Sequence, residues 1–157
     1  MMSEMLGNHY FQLRNFVLAE STYEKLPQNQ FGDVNILKRL IICYTQTNKL
    51  DKALELLIHL LKKNINTILN SNRKDEDCPC NDLITKIEIG EITYSNRYET
   101  LTALGILHLY CNHKNSIKYF KMALKQNSNN QLLNETFKIL KITVQKNTSQ
   151  TNKMELK

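Results

Sequence analysis

Two cysteines, Cys78 and Cys80, flank a single proline and directly follow three acidic residues at 75–77. A pair of thiols this close can ligate a metal or exchange a disulfide. A structural zinc site needs four ligands, however, and no second cysteine or histidine pair with the spacing of a zinc finger follows in the chain. Neighbouring carboxylates also raise the pKa of a thiol and make it less reactive. We therefore predict no metal, no cofactor and no redox role for this pair.

The chain contains no residue pattern typical of an enzyme. It has no P-loop, no nucleophile elbow and no H-E-x-x-H sequence. Its acidic residues are scattered along helical stretches, where such side chains are ordinarily solvated. We therefore predict that the protein is not an enzyme.

Lysines form the remaining charged pattern, because residues 112–157 hold nine lysines and only two glutamates while the whole chain has a net charge of +6. Spacings of three and four residues place four of these lysines on one side of a helix. The stripe is Lys114, Lys118, Lys121 and Lys125, and it is continued in sequence by Lys138, Lys141 and Lys146. A basic stripe can bind phosphates in a salt-dependent way. No arginine–aromatic pattern or glycine-rich clamp accompanies it, so we interpret it as a solvated face and keep an RNA- or anion-binding helical protein as the alternative.

The stretch from Leu40 to Lys63 predicts the structural unit from which the chain is built. Apolar residues recur at helical spacing up to Tyr44, are interrupted by the polar residues 47–49, and resume at Ala53. This pattern is typical of two amphipathic helices joined by an elbow. Neither helix can bury its apolar stripe alone, so the hairpin must pack against similar units.

A second copy of the hairpin lies earlier in the chain, and its residues match those of the first at one constant offset. The matched pairs are Leu6 with Leu40, Tyr10 with Tyr44, Ala19 with Ala53, Tyr23 with Leu57, and Leu26 with Leu60. A third copy holds Leu104-Gly105, Phe120 and Ala123-Leu124. Ser116 takes the place of the small alanine, and it follows Gly105 by 11 positions, whereas Ala19 follows Gly7 by 12. The offset between the first two copies is 34 residues. Helix–turn–helix units that repeat about every 34 residues are the signature of tetratricopeptide repeats. On these residues the chain resembles the tetratricopeptide repeat (TPR) family.

The resemblance implies an all-α fold, a right-handed helical-hairpin solenoid of three TPR-like repeats plus a C-terminal capping helix. We expect one domain over residues 1–146, with repeats at about 1–33, 34–67 and 97–130 and the capping helix at about 131–146. Residues 68–96 are then an insertion, with a loop at 70–77 and a short helix near 82–92, and residues 147–157 a disordered tail. Predicted N-caps are Asp33, Asn96 and Ser128.

The N-terminal residues lack the basic and apolar regions of a signal peptide, and the longest purely apolar run is about five residues, too short to span a membrane. We therefore expect a cytoplasmic protein with no membrane contact. The oligomeric state stays open.

In the family, the leading helix of each repeat lines a concave groove that holds a segment of another protein. Carried over to this chain, the groove residues are Asn8, Phe11, Gln12, Lys38, Ile42, Thr45, Gln46, Ile106, Leu109 and Tyr110. Mixed apolar and amide side chains suit an extended peptide or a helix. The implied function is a protein–protein interaction module, namely an adaptor, a scaffold or a co-chaperone.

Two more specific functions found within the family fit this sequence less well. Of the residues with which some members clamp the C-terminal carboxylate of a chaperone, Asn8 is matched, but Glu4 stands in place of a lysine and Arg39 in place of an asparagine. Glu4 would repel a carboxylate. A small secretion chaperone of the TPR type, the second alternative, fits the length, but such chaperones are usually acidic and this chain has a pI of about 9.1.

Overall fold

The described part of the protein is entirely helical. The computed structural model describes residues 3–27, 33–69 and 79–155, with residues 64–69 and 147–155 described by their backbone alone. Within these ranges there are eight helices: α1 Glu4–Gln12, α2 Phe16–Glu24, α3 Val34–Gln46, α4 Leu50–Leu69, α5 Cys80–Glu88, α6 Arg97–His108, α7 His113–Gln126 and α8 Gln131–Glu155.

Short polar side chains start six of these helices by accepting a hydrogen bond from the first turn, whereas α5, which follows Pro79, has no such cap. Asp33 Oδ1 accepts from the Asn35 amide at 2.8 Å, and Asn96 Oδ1 accepts from the Glu99 amide at 2.9 Å, so both predicted N-caps are confirmed. The third prediction, Ser128, is wrong. Asn130 directly precedes α8 and its Oδ1 accepts from the third helical residue at 3.0 Å, which leaves Ser128 in the preceding turn.

Consecutive helices pack as pairs. α1 packs against α2, α3 against α4, and α6 against α7, while α2 contacts α3 and joins the first pair to the second. Each pair buries an apolar stripe that a single helix would expose. The described residues therefore form an all-α protein of sequential helix pairs, consistent with helical hairpins.

The elbows of the first two pairs have the same backbone conformation. Arg14 has φ 62° and Asn48 has φ 61°, both in the left-handed region that non-glycine residues rarely adopt. The residue after each donates its amide to the carbonyl of Tyr10 or Tyr44, in both cases at 2.9 Å. The two elbows thus use equivalent residues of their pairs. The third elbow, at 109–112, has no residue of positive φ.

Two glycines allow an aromatic ring of the partner helix to lie against the backbone. A Cβ atom added to Gly7 would lie 2.6 Å from the Tyr23 ring, and one added to Gly105 would lie 2.6 Å from the Phe120 ring. Both rings are fully buried. In the third pair Ser116 is also buried and donates its hydroxyl to the Gly105 carbonyl at 2.6 Å, so the serine fits a close approach between α6 and α7.

Helix α8 differs from a simple cap on the last pair. It contacts α7, which precedes it, but it also packs along α4, and Lys62 of α4 forms an ion pair with Glu135 of α8 at 2.7 Å. The helix continues beyond residue 146 to Glu155, through the segment for which the sequence predicted a disordered tail. Its contacts therefore tie the second pair to the third.

The expected insertion contributes a helix to the core. The short helix is present as α5, which packs against α6, and Cys80 at its first position is fully buried. The predicted loop at 70–77 and Cys78 lie outside the described residues. After α5 the chain returns to α3, where the Tyr94 hydroxyl donates to the Thr45 carbonyl at 2.9 Å. None of the described helices is both long and apolar enough to cross a membrane.

Candidate partner-binding surface

Three helices that lie far apart in sequence are neighbours in the fold. α3 contacts α1 on one side and α6 on another, so the first helices of all three pairs are adjacent. Every residue that the resemblance assigned to the groove lies on α1, on α3, or on α6 and the turn that follows it. We call the solvent-accessible part of these three helices the α1–α3–α6 surface.

Half of the groove residues lie in the core below this surface. They are Phe11, Ile42, Thr45, Ile106 and Leu109, and each is at most 3% exposed. Thr45 satisfies its hydroxyl internally by donating to the Ile42 carbonyl at 2.6 Å. Side chains buried this deeply support the backbone of the surface, and only the other five groove residues are accessible to solvent.

Asn8 joins α1 to both of its neighbours. Its Oδ1 accepts from the Tyr23 hydroxyl of α2 at 2.8 Å and from the guanidinium of Arg39 on α3 at 2.5 Å. The same guanidinium lies 5.8 Å above the Phe11 ring, within the range of a cation–π contact. The sequence had identified Arg39 only as a mismatch to the carboxylate clamp, but it holds α1 and α3 together.

Lys38 and Tyr110 meet across the boundary between α3 and α6. The Lys38 Nζ lies 5.7 Å from the centre of the Tyr110 ring, and the Tyr110 hydroxyl is 3.4 Å from the Lys38 carbonyl oxygen. Both residues are partly exposed. The groove assignment included both residues although 72 positions separate them, and in the fold they are in contact. The pair presents a cation and an aromatic ring to the same side.

Gln12 and Gln46 lie at the C-terminal ends of α1 and α3. Gln12 is exposed, and Gln46 donates its amide to the Thr45 hydroxyl at 3.1 Å. Gln46 also bonds to Tyr94, whose pKa is raised to about 12 because burial penalises the phenolate. No sequence pattern pointed to Tyr94, since it lies in the predicted insertion and outside the three matched hairpins.

Burial raises the pKa values of several ionisable groups near this surface. It raises the pKa of Tyr23 to about 12, and it also raises the pKa values of Tyr44 and the Cys43 thiol. A protonated thiol in an apolar setting is a poor nucleophile. Among the residues described, no three His, Cys, Asp or Glu side chains come together as a metal site would require.

The basic stripe lies away from the α1–α3–α6 surface, on α7. All four of its lysines are exposed, as are the three lysines of α8 between residues 138 and 146. None of these lysines shares a helix with a groove residue, so the two sets lie on different elements of the fold.

Comparisons of the chain with models of protein families, with curated proteins and with solved structures gave no match.

Proposed function

We propose that the protein is an interaction module of the TPR type, a right-handed solenoid of three hairpins that serves as an adaptor, a scaffold or a co-chaperone. Two structural regularities support the repeat. Left-handed residues recur at Arg14 and Asn48, at equivalent points of the first two pairs, and a glycine packs against a buried ring in the first and third pairs. The same backbone conformation and the same close packing at matched positions are expected of duplicated units.

The adjacency of α1, α3 and α6 is the observation that carries the proposal. It brings α3 into contact with the leading helices of the other two pairs, and on this basis we take their accessible side chains as one strip along which a peptide or a helix of a partner protein can lie. The strip offers Asn8, Gln12, Lys38, Gln46 and Tyr110. Amide groups can bond to a peptide backbone, Lys38 can pair with an acidic side chain, and the Tyr110 ring provides apolar contact.

Preorganisation favours binding at this strip. Asn8 and Tyr110 are already held by bonds to Arg39, Tyr23 and Lys38, so a partner need not order them. Fixing side chains before association lowers the entropy lost on binding. We propose no catalytic role, because the sequence contains no residue pattern typical of an enzyme.

Photo-crosslinking followed by affinity measurement tests this proposal. A photoreactive amino acid at Gln12 should crosslink a partner in lysate of the source cells, whereas the same group at the exposed Lys63 on α4 serves as the control. The crosslinked protein is then purified and its affinity measured for three forms of the chain: wild type, Tyr110→Ala and Tyr119→Ala. Tyr119 is the matched control, being a partly buried tyrosine on α7.

Truncating an anchoring aromatic residue typically weakens binding by more than about fivefold. We therefore expect at least that loss for Tyr110→Ala and no change for Tyr119→Ala, with circular dichroism showing that both variants are folded. Equal affinities of wild type and Tyr110→Ala, or equal crosslinking from Gln12 and Lys63, would refute the assignment of the surface.

A further inference from the structure

The basic stripe is a straight row of exposed charge. Lys114, Lys118, Lys121 and Lys125 lie on the side of α7 opposite to its buried residues, and the row extends over about 16 Å at 1.5 Å per residue. Adjacent lysines in the row are three or four residues apart, which is one turn of the helix.

None of these four lysines forms an ion pair with a described residue. The only acidic residue between positions 112 and 146 is Glu135, and it is already paired with Lys62 of α4. Like charges one turn apart repel each other, and Lys114 in the first turn of α7 opposes the helix dipole. The stripe therefore does not stabilise the helix that carries it.

The chemistry of the stripe favours carboxylates over nucleic acid. Its cations are all lysines, which pair with anions as point charges, and no arginine follows Arg97. Proteins that bind single-stranded nucleic acid usually combine such charges with aromatic rings on which the bases stack. On α7 the Phe120 ring is buried and the Tyr119 ring stacks on His108 at 5.0 Å.

Carboxylates placed one helical turn apart would match the spacing of the stripe. We propose that the basic stripe of α7 docks an acidic α-helical segment of a partner protein, as a surface distinct from the α1–α3–α6 surface. A helix with glutamates at i, i+4, i+7 and i+11 presents them in a row of the same length, so each carboxylate can pair with one lysine. The binding is predominantly electrostatic and weakens as salt rises.

Two synthetic helices of equal composition test the match in spacing. One is an alanine-based peptide with four glutamates at i, i+4, i+7 and i+11, and the other carries the same glutamates distributed around the helix. We expect the wild-type protein to bind the first peptide about tenfold more tightly at low salt, and both weakly at high salt. A single-stranded oligonucleotide matched in charge to the peptides is the third probe.

A charge-reversed variant separates binding from folding. Lys114→Glu with Lys121→Glu puts an acid in the first turn of α7 and creates two favourable i, i+4 pairs with the remaining lysines. Its melting temperature should equal or exceed that of wild type, while its affinity for the ordered peptide falls at least tenfold. The control, Lys63→Glu with Lys25→Glu, makes the same change in net charge at exposed positions of α4 and of the C-terminal end of α2.

Four results would overturn the proposal. They are no binding of the ordered peptide at low salt, equal affinity for both peptides, tighter binding of the oligonucleotide than of either peptide, and equal loss of binding in the control variant. The tests use neither Tyr110 nor the crosslinked partner, so they can fail while the α1–α3–α6 surface stands.

Discussion

Replacement of Gly7 by alanine tests how the first helix pair is packed. The added Cβ would lie 2.6, 2.8 and 3.2 Å from three atoms of the Tyr23 ring, well inside ordinary van der Waals contact. The ring cannot easily move, because it is fully buried and its hydroxyl is bonded to Asn8 at 2.8 Å. The two helices must therefore separate or the ring must leave its position.

Two opposing terms determine the expected change in stability. Alanine is favoured over glycine inside a helix by about 0.5–1 kcal/mol. Overpacking a core costs about 1–3 kcal/mol, and the rigid ring places Gly7→Ala in the upper half of that range. We therefore expect a net loss of about 1–2.5 kcal/mol, which lowers the melting temperature by about 2–10 °C for a chain of this size.

Thermal and urea unfolding followed by circular dichroism measure this effect. The control is the same substitution made in a variant whose Tyr23 ring has been replaced by leucine. The residues that match Gly7 and Tyr23 in the second pair are Ile41 and Leu57, both fully buried, so the second pair accommodates a larger residue opposite a smaller one. In a Tyr23→Leu background Gly7→Ala should become stabilising by about 0.5–1 kcal/mol. A stabilising effect already in wild type would refute the packing described for Gly7.

Two further predictions concern charged groups. Burial lowers the pKa of His108 below its ordinary value of 6.5, although Glu88 opposes the shift, so the folded state binds fewer protons than the unfolded state as pH falls. The free energy of unfolding should decrease below about pH 6.5, and less so in His108→Gln, as urea titrations at several pH values can show. Lys49→Ala should lower the melting temperature more than Lys52→Ala, because Lys49 pairs with the buried Glu20 whereas Lys52 forms an exposed pair; equal losses would contradict this.

The sequence alone determined the helix pairs. The apolar periodicity and the polar elbow of residues 40–63 predicted α3 and α4, and the earlier copy of that pattern predicted α1 and α2. These signals are local, since the side chains that specify a helix and its caps lie within a few residues of it. Asp33 and Asn96 were found for the same reason, and Ser128 was misassigned because Asn130, which follows closely, is an equally good cap.

Only the tertiary structure decided which groove residues remain accessible. Periodicity places Ile42 and Ile106 on a helix face, but whether that face meets solvent depends on the helices packed against it, and here both are buried. Arg39 and Tyr94 were missed because their bonds, to Asn8 and to the Thr45 carbonyl, cross 31 and 49 positions of sequence. The contact of α8 with α4 was likewise hidden, because a repeat pattern specifies neighbours within a stack, whereas the long helix packs on whichever apolar surface the other pairs leave uncovered.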